Sequence, residues 1–265
     1  MSGASRGEFS SSFGFIMAAA GSAIGLGNIW GFPTQTAQNG GAAFVILYLI
    51  MAFLVGYPIL LAEFTIGRHS QSNPVGAYKS IKGGSRFVPV GFLGLFTVGL
   101  ILSFYSIIAG TMVAYFISPF LNLVGADGAA AWVISQGVGA NMLFASFFFF
   151  FTILIVAAGV KNGIEKWSSR LMPTLLLILV ILVIYVLTLD GAMEGLKVYL
   201  LPDFTKVLNA GLFTSALGQA FFSLSLGVGS MLVLASYTSK KENLVRLGRL
   251  VTLSDVGIAF LAGLL

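Results

Sequence analysis

Apolar positions dominate this chain in seven long runs, separated by shorter stretches where charge, glycine and proline concentrate. A helix needs about 20 apolar residues to cross a bilayer. The runs fall at about 11–36, 42–68, 88–120, 140–160, 171–190, 210–238 and 247–265, and each is read as one span. The third lies within an uncharged stretch of 40 residues, Phe87 to Ala126. That is long enough for one tilted helix and a loop, or for two short spans.

Composition sets the solvent and charge settles the count. The chain is 57% hydrophobic and 9% charged, against roughly 25% charged in a soluble domain. So much apolar surface belongs in a bilayer. If Phe87–Ala126 holds one span, twelve of the fourteen Lys and Arg fall on one side. They are Arg6, the loop 68–86 (Arg68, Lys79, Lys82, Arg86), the loop 161–170 (Lys161, Lys166, Arg170) and the loop 239–249 (Lys240, Lys241, Arg246, Arg249). That side is cytoplasmic by the positive-inside rule. The loops 37–41, 121–139 and 191–209 are then outside, with only Lys197 and Lys206 as basic residues. The net charge of +5 is thus a matter of topology, and no nucleic-acid partner is expected. With no cysteine there is no disulfide framework and no thiolate metal site. No cleavable signal and no linker to a second domain is evident. The chain stops at Leu265 inside an apolar run, which reads as a fragment of a longer protein.

Two of the spans are weakened at their own centres. The first carries GSAIGLGNIWG, with glycines at 21, 25, 27 and 31 and Asn28 among them. The sixth carries GQAFFSLSLGVGS over 218–230, with Gly227 and Gly229 beside small polar residues. Five spans separate the two, so they run in opposite directions, the pattern of an inverted repeat. Where a helix unwinds at the midplane, freed carbonyls can coordinate a cation, and the half-helix N-termini offer N–H groups to a carboxylate. Gly21 and Gly25 also form a GxxxG, which by itself signals only close helix packing.

The stretches AAAGSAIGLGNIWGFP (18–33), NGGAAF (39–44), EFTIGR (63–68), SFYS (103–106) and GQAFFSLSLGVGSMLVLASY (218–237) resemble the neurotransmitter:sodium symporter family, in order and across essentially the whole chain. The resemblance implies an all-α polytopic membrane protein with the LeuT-like inverted-repeat fold. This chain would hold the first repeat (about 10–190) and the start of the second (about 210–265), with spans 1 and 6 unwound. For the family's first sodium site it implies Ala23, Asn28, Ser223 and Asp255, and for the second it implies carbonyls at Gly21 and Ile24, with further ligands on an eighth span. Oxygen ligands of this kind suit a hard cation. It also places substrate against the two breaks, with Ser22, Ala23, Gly25, Leu26 and Gly27 facing its carboxylate and amine. Tyr105 would bind the carboxylate, and Phe222, Ile101, Ser223, Ser225 and Val228 would be the remaining binding residues. No side-chain pocket residue is charged, so a neutral amino acid is expected, and Val228 leaves room for a bulky one.

Three further positions concern gating. Arg6 matches an arginine of the cytoplasmic gate. Gly31 stands where the family usually has an outer-gate arginine, and Gln35, one turn on, takes part of that role. Glu63 matches an acid that hydrogen-bonds the unwound sixth span. Tyr48, Gln219 and Ser223 match positions of the anion site in chloride-dependent members, but Ala259 replaces its closing serine. Asp255 supplies a fixed charge instead, so chloride is not expected. The reading is sodium-coupled amino-acid symport in the bacterial inner membrane. A proton-coupled carrier and a non-transporting fragment stand beside it as alternatives. There is no Ser/His/Asp set, metal cluster or phosphate loop, and the single histidine, His69, reads as a solvated edge residue, so no enzyme is expected.

Overall fold

Proline and glycine decide where the helices of this chain are regular. The computed structural model describes residues 7–203 and 210–265, so Arg6 and Lys206 lie outside the described residues. Helix α1 (Ser12–Ala23) starts at Ser11, whose side chain accepts the N–H of Gly14, a standard N-cap. After the break come a π-helical turn, Gly27–Gly31, and α2 (Phe32–Gln38). The two arms, Ser12–Ala23 and Gly27–Gln38, are bent by 54°. Helix α3 (Ala42–Met51) runs through a second π-helical turn, Ala52–Gly56, into α4 (Tyr57–Ser70). Each of these π turns ends two residues before a proline, in the sequences Gly-Phe-Pro (31–33) and Gly-Tyr-Pro (56–58). Proline lacks the N–H that an α-helix would give to the residue four back, and its ring crowds that carbonyl. Widening to π geometry just ahead of it relieves the conflict.

The 40-residue uncharged stretch contains one helix, α6 (Val88–Leu123), reached through the short α5 (Pro74–Ser80). At 36 residues α6 is about 54 Å long, more than a bilayer is thick. The loops expected outside carry the short helices α7 (Asp127–Ile134) and α10 (Ala192–Leu200), on either side of α8 (Val138–Ala157) and α9 (Lys166–Val186). The last part of the chain is α11 (Ala210–Ser223), α12 (Ser230–Ala235) and α13 (Leu244–Gly263).

Among the described residues, four continuous helical stretches are long and apolar enough to cross a membrane: Ala42–Ser70, Gly84–Leu123, Val138–Ala157 and Val160–Val186. The bent pair α1–α2 makes a fifth. The expected sixth and seventh spans are present as helices that do not qualify on length and composition. One is split into α11 and α12, and α13 carries Arg246, Arg249 and Asp255. The protein is a multi-pass membrane protein.

The core lies where α1, α4, α11 and α13 meet. Phe15, Ala19, Leu60, Phe64, Leu224, Leu247 and Val251 form one buried cluster. Phe32, Phe44, Tyr48, Ala216, Ala220 and Ala259 belong to another. Helices α6, α8 and α9 flank this centre. They turn large apolar residues outward, among them Phe96, Phe150 and Leu182, a surface suited to lipid or to further helices. Gly110 lets α6 approach the backbone of α8 so closely that a Cβ would lie 2.5 Å from the Ala145 nitrogen.

Candidate functional site

The first break begins at Ile24, which leaves the helix with φ −78° and ψ 112° while its N–H still bonds to Ala20. Backbone bonding resumes with the N–H groups of Asn28 and Ile29, both given to the carbonyl of Gly25. The side-chain oxygen of Asn28 accepts the N–H of Gly25 at 3.3 Å, so Asn28 caps the second half-helix from within.

The second break spans 224–229. Helix α11 closes with the Leu226 N–H bonded to Phe221 O and the Ser225 N–H bonded to Phe222 O. This is a Schellman motif, with Ser225 in the left-handed region at φ 52°. Glycine is the usual residue at that position. Here the serine hydroxyl donates to the carbonyl of Ser22 at 3.0 Å and ties one break to the other. Gln219 adds a second tie, donating Nε2 to Gly27 O at 2.8 Å. Glu63 of α4 adds a third connection, accepting the N–H of Gly227 at 2.7 Å.

Behind the breaks lies a knot of four polar side chains, each exposed by no more than 1%. Asn28 Nδ2 donates to Asp255 Oδ1 at 2.7 Å, to Ser223 Oγ at 2.9 Å and to the Asp255 carbonyl at 3.2 Å. Ser223 Oγ donates to Asp255 Oδ2 at 2.7 Å, and Tyr48 OH reaches the same oxygen at 3.4 Å. Helices α3, α11 and α13 and the turn after α1 each contribute one member. The donors that this carboxylate accepts are all neutral. An ionised carboxylate at that depth is costly without a compensating cation.

In front of the breaks is a cavity of about 510 Å³. Of the residues expected to touch substrate, Ser22, Ala23, Gly25, Gly27, Ile101, Tyr105, Phe222, Ser225 and Val228 line it. Ser223 is not among the lining residues, because its hydroxyl is spent in the knot behind the cavity. Leu26 lines an adjoining space of about 300 Å³ instead, together with Trp30, Gly31, Gln35 and Tyr105, and its N–H donates to Tyr105 OH at 2.9 Å. Gly21 and Ile24 line the central cavity. Among the described residues, no charged side chain lines either space. Gln35 faces the adjoining one, with its side-chain oxygen accepting from Asn39 Nδ2 at 2.9 Å.

Several lining residues went unnoticed in the sequence, including Val98, Leu102, Phe221 and Ser230. Apolar residues such as Val98 and Leu102 of α6 and Phe221 of α11 carry no signal that separates a cavity wall from a lipid-facing or core position. Among the described residues no cluster of three His, Cys, Asp or Glu is present. The oxygens gathered at Asn28, Ser223 and Asp255 suit a hard monovalent cation better than a transition metal.

The profile of the sodium:neurotransmitter symporter family matches residues 6–143 and 136–265. An uncharacterized sodium-dependent transporter of Bacillus subtilis, YhdH, is 40% identical over 97% of this chain and 58% of its own length. Another from Methanocaldococcus jannaschii is 37% identical over 99% of this chain and 56% of its length. The crystal structure of MhsT in complex with L-phenylalanine superposes with a TM-score of 0.86 at 40% identity, covering 98% of this chain and 60% of that one. The chain therefore spans less than two thirds of the length of these relatives.

Proposed function

The chain belongs to the sodium:neurotransmitter symporter family, and from that premise we propose that it forms the N-terminal part of a transporter coupling sodium entry to uptake of a neutral amino acid by alternating access. The observation that carries this reading is the pairing of two helix breaks with a cavity lined by no charged side chain among the described residues on one side and a buried carboxylate on the other. A buried carboxylate that accepts only from neutral donors favours a small cation beside it. An amide presents either edge after a half-turn about its last torsion. The position from which Asn28 Nδ2 now donates to Ser223 and Asp255 can therefore offer Oδ1 to sodium. The carbonyl of Ala23 completes that set, and the carbonyls of Gly21 and Ile24 contribute to a second sodium.

The substrate carboxylate and amine lie against the backbone of residues 22–27 and Tyr105 OH, and its side chain against Ile101, Phe222 and Val228. The relative MhsT was crystallised with L-phenylalanine. With Val228 on the cavity wall, that supports a bulky apolar or aromatic substrate for this chain as well. Glu63 holds the second break, Gln35 faces the outer approach, and Arg6 belongs to the cytoplasmic gate. In this reading the N-terminus is cytoplasmic, the membrane is the bacterial inner membrane, and the two repeats divide near residues 190–210.

Asp255 also bears on chloride. One fixed anion offsets the additional cation in a low-dielectric site, and Ala259 lacks the hydroxyl that would help hold chloride. Transport is expected to be independent of chloride.

The test is uptake into proteoliposomes by the longer protein containing this chain. An inward sodium gradient drives accumulation, a proton gradient alone does not, and replacing chloride with gluconate changes nothing. Uptake driven by protons without sodium would replace this reading with a proton-coupled carrier. The double change Asp255→Asn with Ala259→Ser is expected to make uptake require chloride. Loss of uptake in gluconate by the unmutated protein would remove Asp255 from the role of counter-charge.

A further inference from the structure

Two consecutive residues near the end of α10, Val198 and Tyr199, meet glycines on two separate helices. Gly41, just ahead of α3, has φ 62° and leaves no space for a Cβ, which would run into the Val198 carbonyl. Gly263 of α13 lies against the Tyr199 ring, and a Cβ there would overlap it. Tyr199 also donates its hydroxyl to the carbonyl of Phe260 at 2.9 Å, and the two rings pack with centroids 5.3 Å apart. Although it comes from the segment connecting α9 to α11, Tyr199 is only 6% exposed. It belongs to the buried cluster that holds Phe44 and Tyr48 of α3, Ala216 and Ala220 of α11, and Val256 and Ala259 of α13.

Helix α10 therefore grips α3 with one residue and α13 with the next. Those two helices carry Tyr48 and Asp255 of the buried knot. Helix α11, which carries Ser223, packs against α3 through the same cluster. The distance from Asp255 to Ser223 and Tyr48 thus depends on how far α13 sits from the α3–α11 pair. Within the knot the contacts of Tyr48 are the longest, 3.3 Å to Ser223 Oγ and 3.4 Å to Asp255 Oδ2, against 2.7 Å from Ser223 Oγ to Asp255 Oδ2. The knot is loosest along the line that α10 spans.

We propose that α10 is a clamp, with Tyr199 as its positioning residue, that sets the spacing of α13 from α3 and α11 and so the size of cation that Asp255 and Ser223 accept. The proposal rests on the sodium reading above and adds to it a part of the chain that lies outside both helix breaks. A site built of oxygen ligands selects among cations by cavity size and by how far its ligands can move. A clamp keyed into both helices restrains that movement. Interior packing transmits the restraint, because the buried cluster between Tyr199 and the knot is filled by Tyr48, Val256 and Ala259. With the clamp loosened, Asp255 can follow a cation of another radius, and the site binds more weakly and discriminates less.

The test uses the longer protein containing this chain, in detergent with choline as the inert background ion. The rise in unfolding temperature is followed against sodium and then against lithium, and each titration gives a midpoint. Tyr199→Phe keeps the ring and removes only the hydroxyl bond to Phe260. It is expected to raise the sodium midpoint roughly fivefold, the order of one lost neutral hydrogen bond. It is also expected to draw the ratio of the lithium midpoint to the sodium midpoint toward one, a change that a general loss of packing does not produce. Gly263→Ala displaces the ring from the α13 side and is expected to move the ratio in the same direction, so it carries the test should Tyr199→Phe fail to accumulate. If the parent responds to sodium and the ratio in the variants stays at the parent's value, the clamp is overturned, whatever the unfolding temperature itself does. A parent whose unfolding temperature ignores sodium overturns the sodium-coupled reading, and the clamp with it.

Discussion

Between Ile24 and Gly31 no residue has a positive φ, whereas the break at 224–229 has three, Ser225, Gly227 and Gly229. Both breaks are rich in glycine, yet the glycines answer different demands. At the first break the demand is space. A Cβ on Gly25 would collide with Tyr105 OH, and one on Gly27 would lie 2.7 Å from the ring of Phe222. At the second break the demand is conformation. Gly227 has open space around it but sits at φ 83°, which L-residues with a side chain rarely adopt. The first break is thus shaped by what packs against it, and the second by its own backbone.

Substitutions can separate the two regions, and the largest effect is expected where they meet. Asn28→Ala removes the donor to Asp255 and Ser223 and should weaken sodium affinity by ~1.5–3 kcal/mol. Sodium titration of substrate binding checks this, and an unchanged midpoint would remove Asn28 from the ion site. Next, Gly25→Ala should cost ~1–3 kcal/mol in substrate affinity through overpacking against Tyr105. Tyr105→Phe alone loses its bond to the substrate carboxylate, but it also frees the space, so the double change should cost less than the sum of the single ones. If the double change is as poor as the sum of the single ones, the collision is not the cause.

A Phe at Val228 should cost bulky substrates ~1–3 kcal/mol while sparing alanine. Competition binding with a size series reads this, and equal losses across the series would take Val228 off the side-chain wall. Gly227→Ala should lower stability by ~1–2 kcal/mol through backbone strain, with no rescue from any neighbouring change. Thermal unfolding in detergent measures it. The smallest effect is expected at Gly31, where a Cβ would lie 3.7 Å from the nearest heavy atom, ordinary contact. Gly31→Ala should shift stability by no more than ~0.5 kcal/mol. A loss as large as that of Gly227→Ala would end the distinction drawn between the two breaks.

Much of this protein is determined by the sequence alone, because a bilayer demands long apolar runs and punishes charge. The membrane class follows from that rule, as does the single long helix at 88–123 and the interruption of spans one and six. So does the suspicion that falls on Asn28 and Asp255, polar residues with no business in hydrocarbon unless partnered. Three-dimensional contact decided what local pattern cannot express. Ser223 turned out to serve the buried knot and not the cavity wall, because its direction depends on how α11 sits against α13. Ser225 became a bridge between the breaks through one hydroxyl in a position where glycine is usual. Glu165 and Glu242 come to three serines more than 150 residues away only through folding. Apolar periodicity reports which solvent a segment meets, whereas the partner of a hydroxyl or a carboxylate is set by distant parts of the chain, and that information exists only once the helices have packed.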